Sequence, residues 1–231
     1  MKRKHLILLP VLLLFLNTVS AQVNEDQTGA WYMYFWNTGI KESNFGIQGD
    51  VQYRNWNLGG DLQLLILRGG FSYAIPTTKI KLSAAYGYFT FGAFGESNAT
   101  VHENRIQEDV SFKHQIAKRL YFQHRLRYEQ RWIEDQDFRT RWRYILGLKI
   151  PLNQKNLQKN SLYLVLSDEI FFNGEKNTGN GLSVDTYDRN WLAGGLGYSL
   201  LDNLQVELGY MQESANNADK GQIQLSLHHS F

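Results

Sequence analysis

The 231-residue chain contains no cysteine and only three prolines. Without cysteine it has no disulfides, no thiolate metal site and no lipid attachment through an N-terminal Cys. Pro76 and Pro151 both fall where predicted strands end. Because proline cannot donate to a β-ladder, its absence from every predicted strand interior favours an all-β fold.

The apolar run Leu6–Leu16 is shorter than the roughly 20 residues that a membrane-spanning helix needs. It follows basic residues 2–4 and precedes the small residues 19–21. These three parts predict a secretory signal peptide over residues 1–21, removed before Gln22.

The chain also lacks a large net charge. It has 24 basic and 22 acidic side chains, and three of the basic ones lie in the predicted signal. Without the signal, the net charge of the chain is close to zero, so we expect no nucleic-acid partner. The length of the mature segment fits one large β domain, which we assign to residues 22–231.

The most informative stretch is Arg119–Ile150, where side chains alternate with a period of two. One face carries six arginines between residues 125 and 143, and the other carries aromatic side chains and leucines. Successive strand residues point to opposite faces, so a single wall would have one charged and one apolar side. This arrangement is typical of a membrane barrel, with lipid outside and a polar lumen inside.

The predicted fold is therefore an all-β, antiparallel transmembrane β-barrel with a lumen rich in Arg and Glu. Eleven strand-like segments can be counted, but Trp31–Trp36 reads as a short first strand. Bacterial barrels usually have an even strand number, so we favour ten strands, with twelve as the alternative. Long polar loops are expected at 92–101, 173–185 and 214–219. A soluble β-sandwich is the rival, but its strands average about 5 to 6 residues.

Alternation places a cluster of charged side chains in the predicted lumen. Its members are Glu103, Arg105, Arg125, Arg127, Glu129, Arg131, Arg139, Arg141, Arg143, Glu169 and Arg189. A ten-strand barrel encloses little more than side chains, so these charges must lie close together. They then form either a set of ion pairs that fills a small barrel, or a cationic track in a narrow pore for anionic solutes such as acidic oligosaccharides.

A lipid-modifying barrel enzyme is a further alternative, since such enzymes use a Ser–His–acid set on the lipid-facing surface. His114 and His124 fall on the predicted outer face, but no Gly-x-Ser-x-Gly motif accompanies them. The acidic residues Glu134, Asp135 and Asp137 do not follow an EF-hand spacing. We therefore assign no catalytic, cofactor-binding or metal-binding residue.

Several segments resemble a family of outer-membrane barrels called domain of unknown function 2490. The matching segments are Glu103–Gln107, His124–Arg131, Arg139–Tyr144, Asp168–Asn173 and Asp188–Asn190, together with Arg54 and Arg68. The resemblance implies an outer-membrane barrel and supplies no activity.

The last predicted strand ends on Phe231. An aromatic residue in this place resembles the signal that outer-membrane assembly machinery reads. We therefore expect the protein to reside in the outer membrane of a Gram-negative-type bacterium, with membrane lipid and the assembly machinery as partners.

Overall fold

The structure, a computed structural model, describes residues 28–95, 97–216 and 218–231. The predicted signal peptide at residues 1–21 lies outside these ranges. Within them, no helix is long and apolar enough to cross a membrane.

Thirteen β-strands make up the described part of the chain. In chain order they are β1 (Gly29–Gly39), β2 (Phe45–Asn55), β3 (Leu62–Ala74), β4 (Ile80–Gly92), β5 (Thr100–Ile116), β6 (Leu120–Ile133), β7 (Arg139–Pro151), β8 (Leu162–Asn173), β9 (Asn177–Gly179), β10 (Leu182–Ser183), β11 (Tyr187–Leu201), β12 (Leu204–Ala215) and β13 (Ala218–Ser230).

Eleven of these strands close into one barrel, and β9 and β10 form a separate small hairpin. Neighbours in the chain pair antiparallel around the wall, and the barrel closes where β1 pairs parallel with β13. The predicted all-β barrel is confirmed, but the preference for ten strands, with twelve as the alternative, is wrong. The Trp31 segment is a full wall strand of 11 residues rather than a short one. With an odd number of alternating strands, the first and last must run in the same direction.

The connections lie at two ends of the barrel, which we name by the strand that starts or finishes there. The N-terminal rim, where β1 begins, carries the connections at 56–61, 93–99, 134–138, 174–186 and 216–217. The C-terminal rim, where β13 finishes, carries those at 40–44, 75–79, 117–119, 152–161 and 202–203. The hairpin of β9 and β10 belongs to the longest connection, at the N-terminal rim.

One predicted long loop is absent. Residues 214–219 were expected to form a loop, but Ser214 pairs with Asp219 and Ala215 with Ala218. The ladder between β12 and β13 therefore continues almost to its end. The loop was predicted from the polar composition of this segment. The segment is polar because one face of each strand points into the lumen.

The two faces of the wall differ as the alternation predicts. Large apolar side chains on the outer face are exposed, whereas charged and polar side chains on the inner face are buried. The inner face also has a small apolar cluster of Leu64, Ile66 and Phe89 on β3 and β4. The buried interior is thus rich in charged and polar side chains, with this apolar patch on β3 and β4.

The parallel closure can be tested by cross-linking in this cysteine-free chain. Met33 on β1 pairs with Ser226 on β13 and, on its other side, with Gln52 on β2. A short thiol cross-linker should therefore join Met33→Cys to Ser226→Cys in the folded barrel. The Gln52→Cys/Ser226→Cys pair is the matched control, since β1 separates these strands. Efficient linkage of the control pair, measured by gel mobility, would mean that β2 closes the barrel instead.

Candidate functional site in the barrel lumen

The side chain at the centre of the lumen charge cluster is Glu129 on β6, which is 0% exposed. Its Oε1 accepts hydrogen bonds from Nη1 of Arg105 at 3.2 Å and from Nη1 of Arg143 at 2.8 Å. Its Oε2 accepts from Nε of Arg141 at 2.8 Å. Glu129 lies directly opposite Arg141 in the β6–β7 ladder, so the register of this hairpin brings the pair together.

A second buried carboxylate, Glu103 on β5, extends the cluster toward the N-terminal rim. It accepts from Nε of Arg105 at 2.8 Å, and from Nε and Nη2 of Arg131 at 2.8 and 3.0 Å. Arg105 therefore bridges Glu103 and Glu129. The bidentate contact with Arg131 matches the planar fork of a guanidinium to the two carboxylate oxygens.

Glu169 on β8 extends the cluster from β7 to the next strand of the wall. Its Oε1 accepts from Nε of Arg143 at 3.0 Å and from Nη2 of Arg125 at 2.8 Å. Arg143 thus links Glu129 to Glu169 across β6, β7 and β8. Shared partners of this kind connect four neighbouring strands, β5 to β8, into one network.

Arg127 lies beside this network rather than in it. Its Nε and Nη2 donate to the two oxygens of Asp109 at 2.6 and 2.8 Å, a second bidentate pair. On the neighbouring wall, Arg68 makes an ion pair with Asp50 at 2.6 Å and donates to Gln107 at 3.0 Å.

Two predicted members of the cluster are placed differently from the rest. The Arg189 side chain is 34% exposed and pairs with Glu213 and Asp188 at the edge of the lumen. Arg139 is buried, but its Nε has no hydrogen-bond partner and it makes no ion pair with any residue that the structure describes.

Asp188 is a member that the sequence did not reveal. It accepts from Nη1 of Arg141 at 2.8 Å and also pairs with Arg189. Simple alternation along β11 does not put Asp188 in the lumen. The pairing of β11 with β8 shifts register between Tyr187 and Arg189, and this irregularity brings the carboxylate into contact with Arg141.

An aromatic layer fills the lumen next to the ion pairs. The Arg54 guanidinium lies 3.7 Å from the centre of the Trp31 ring, and Trp31 packs edge-on against Trp191 at 5.1 Å. Trp191 in turn contacts Phe171 at 4.6 Å, and the Arg143 guanidinium lies 4.2 Å from the Phe171 ring. Arginine over an aromatic face is favourable, so this layer joins β2, β1, β11 and β8 to the ion pairs.

The arrangement defines what the cluster can do. Arginine keeps its proton at any ordinary pH, so its chemistry here is electrostatic. A buried charge is tolerated only when it is paired and hydrogen-bonded, and the three central carboxylates, Glu103, Glu129 and Glu169, each meet two or three guanidinium groups. The pairs lie on β5 to β8, the aromatic layer lies on β1, β2, β8 and β11, and the Leu64 cluster lies on β3 and β4.

The other residues considered from the sequence lie outside this site. His114 and His124 stack at 5.1 Å on the outer face, and Nδ1 of His124 lies 2.7 Å from the Tyr144 hydroxyl. Glu134 accepts a hydrogen bond from the backbone of His102 in a rim turn. Within the described ranges, no group of three or more His, Cys, Asp or Glu side chains is placed to hold a metal ion.

Phe231 follows the end of β13 and is 68% exposed. Its backbone N–H donates to Asn37 at 2.9 Å, and its ring packs against His229 with centres 3.9 Å apart.

Fold and site together define an all-β barrel whose interior contains a network of buried Arg–carboxylate pairs. Residues 28–224 match the family described as Protein of unknown function (DUF2490), and the chain belongs to this family. No curated protein matches the chain.

Replacing Glu129 tests the network at its centre. Glu129→Gln leaves Arg105, Arg141 and Arg143 without the charge that they share, and breaking a buried pair in this way costs about 3–5 kcal/mol. The matched control is Glu42→Gln, an exposed carboxylate in the 40–44 connection, which should change stability by less than about 0.5 kcal/mol. Urea unfolding followed by tryptophan fluorescence measures both. Equal stabilities would show that water already solvates the three arginines.

Proposed function

We propose that this protein is an outer-membrane β-barrel with a sealed lumen, exported by the signal peptide at residues 1–21. The observation that carries the proposal is the inverted distribution of side chains. Buried positions on the inner face hold paired charges, and exposed positions on the outer face hold large apolar groups. A protein in water buries its apolar face, whereas a barrel in lipid exposes it.

The apolar outer surface continues from strand to strand. Val110, Leu126 and Tyr144 are paired in one row across β5, β6 and β7, and all three are exposed. Further exposed apolar side chains follow on the other strands, including Val51, Leu67, Phe71, Leu82, Tyr86, Leu196, Leu208 and Leu225. Soluble monomers rarely expose a contiguous apolar surface beyond a few hundred Å². Membrane lipid is the partner that we propose for it.

The connections support one orientation in the membrane. The longest, at 174–186, lies at the N-terminal rim together with one short connection at 216–217, and the short connections at 117–119 and 202–203 lie at the C-terminal rim. Outer-membrane barrels have short periplasmic turns and longer external loops. We therefore place the C-terminal rim in the periplasm. In this orientation β13 is available to the assembly machinery, with exposed Phe231 as the recognition signal.

A sealed lumen distinguishes this proposal from the alternative of a pore for anionic solutes. A pore needs a continuous wet path, whereas Glu103, Glu129 and Arg141 are buried and in direct contact with their partners. We propose that the cluster holds the wall together and blocks passage. The function supported best is thus that of a membrane-anchored scaffold without a through channel.

Membrane insertion is tested by a charge placed on the outer face. Leu126→Arg puts a charge where we expect hydrocarbon, which costs roughly 2–4 kcal/mol near the bilayer midplane. The control Leu182→Arg changes a leucine of β10 that is 65% exposed and lies away from the barrel wall. Folded yield in lipid vesicles should fall for the first variant only. Equal yields, with wild-type protein recovered in the soluble periplasmic fraction of cells, would refute the proposal.

Conductance tests the seal. Wild-type barrels inserted in planar bilayers should give no resolved single-channel steps, because ion pairs and aromatic rings fill the lumen toward the N-terminal rim. Glu129→Gln is the matched comparison, since it removes the charge that holds three arginines together. Conductance gained in this variant would locate the seal at the cluster. Clear anion-selective steps from wild-type protein would favour the pore.

A further inference from the structure

On β5 and β6, inward-facing side chains are buried toward the N-terminal rim and exposed toward the C-terminal rim. On β5, Glu103 and Asp109 are buried, whereas Lys113, which also faces the lumen, is exposed. On β6, Arg127 is buried and Gln123 is exposed in the same way. Inward-facing side chains that contact water mean that solvent enters the barrel from the C-terminal rim.

Three lysines line this open half, and the strand register brings them near each other. Lys81 on β4 lies opposite Ser111, which is the inward-facing neighbour of Lys113 on β5. Lys113 pairs with Gln123, and Gln123 pairs with Gly147 on β7. Lys149 is the next inward-facing residue after Gly147. We call Lys81, Lys113 and Lys149 the lysine cluster.

Space is available beside Gly147, which lies two residues before Lys149 on β7. A Cβ atom added at Gly147 would meet only Gln123 atoms, at 3.8 and 3.9 Å, so no side chain from the opposite wall occupies this position. A cavity of about 80 Å³ lies farther around the same half of the lumen, beside Glu207, Gln224 and Ser226. At about 10–15 Å³ for each water, it has room for several.

The lysine cluster has too few carboxylates. Lys149 pairs with Glu207 at 2.6 Å, and Lys81 donates to the neutral Gln48 at 2.7 Å. Lys113 makes no hydrogen bond or ion pair with any described residue, and both other lysines repel it. The nearby Asp109 is already held by Arg127. Three ammonium groups against the single carboxylate of Glu207 leave a local charge of about +2.

We propose that the lysine cluster binds a dianionic phosphate group that enters the lumen from the C-terminal rim. A phosphate monoester carries a charge of about −1.5 to −2 at neutral pH and three strong acceptor oxygens. That charge matches the local excess, and the three oxygens match three ammonium donors. Lysine is a hydrated point charge on a flexible stem, which suits phosphate at a wet site.

This inference requires only the folded barrel and does not depend on the location in a membrane. The phosphate has two possible sources, a small soluble phosphomonoester or the headgroup of a lipid. Glycerol 3-phosphate and phosphatidic acid share the phosphomonoester and represent these two sources. Calorimetric titration of each into the mature protein, refolded in a phosphate-free detergent, measures binding and separates them.

The informative variant is Lys113→Gln, because it removes one positive charge without leaving a carboxylate unpaired. Its dissociation constant should rise about tenfold, the effect of losing one charge-assisted hydrogen bond. Lys81→Gln should give a similar loss and carries the test if the first variant does not fold. The matched control is Lys41→Gln, an exposed lysine in the 40–44 connection at the same rim, which should bind like the wild type.

The outcomes separate clearly. Binding of glycerol 3-phosphate that weakens in the Lys113 and Lys81 variants supports the site with a soluble ligand. Binding of phosphatidic acid alone, weakened by the same variants, supports it with a lipid ligand. If the folded wild type binds neither compound, or if Lys41→Gln weakens binding as much as Lys113→Gln, the proposal is wrong. Mobility on unboiled gels shows that each variant is folded.

Discussion

The burial of carboxylates inside the barrel is the constraint on which the rest of the structure depends. Glu129 is fully buried, and a charge in such a place is stable only when opposite charges and hydrogen bonds surround it. Three arginines from β5 and β7 meet it, and two of them also reach Glu103 or Glu169. This sharing fixes the register of β5 to β8, because a slip by one residue would move every charge to the apolar face.

Closure of the barrel depends on a second kind of contact. The strand β1 pairs parallel with β13, and its Trp31 packs against Trp191 of β11 beneath the Arg54 guanidinium. These rings lie inside the lumen next to the seam. The aromatic layer therefore supports the seam and, through Phe171 and Arg143, connects it to the ion pairs.

The lumen consequently has two halves with different roles. Toward the N-terminal rim, the inward-facing charges Glu103, Glu129 and Arg141 are buried and paired. Toward the C-terminal rim, the inward-facing Lys113 and Gln123 are exposed, and Lys113 has no partner among the described residues. We propose that this barrel presents a pocket to one side of a membrane and does not connect two compartments. A sealed scaffold and a phosphate site at its open end are compatible proposals for the same molecule.

The sequence alone determined the all-β fold, the two faces of the wall and the inward-facing placement of Glu129 and Arg141. Each follows from the period of two along one strand or hairpin, which is a local property. Tertiary structure decided the eleven-strand closure, the contact of Asp188 with Arg141 and the grouping of Lys81, Lys113 and Lys149. A strand count depends on which distant edges pair, and a register shift breaks the alternation at Asp188. Alternation shows whether a lysine faces the lumen or the outside. Its position along the barrel axis depends on how several strands are shifted relative to one another, and no single segment encodes that shift.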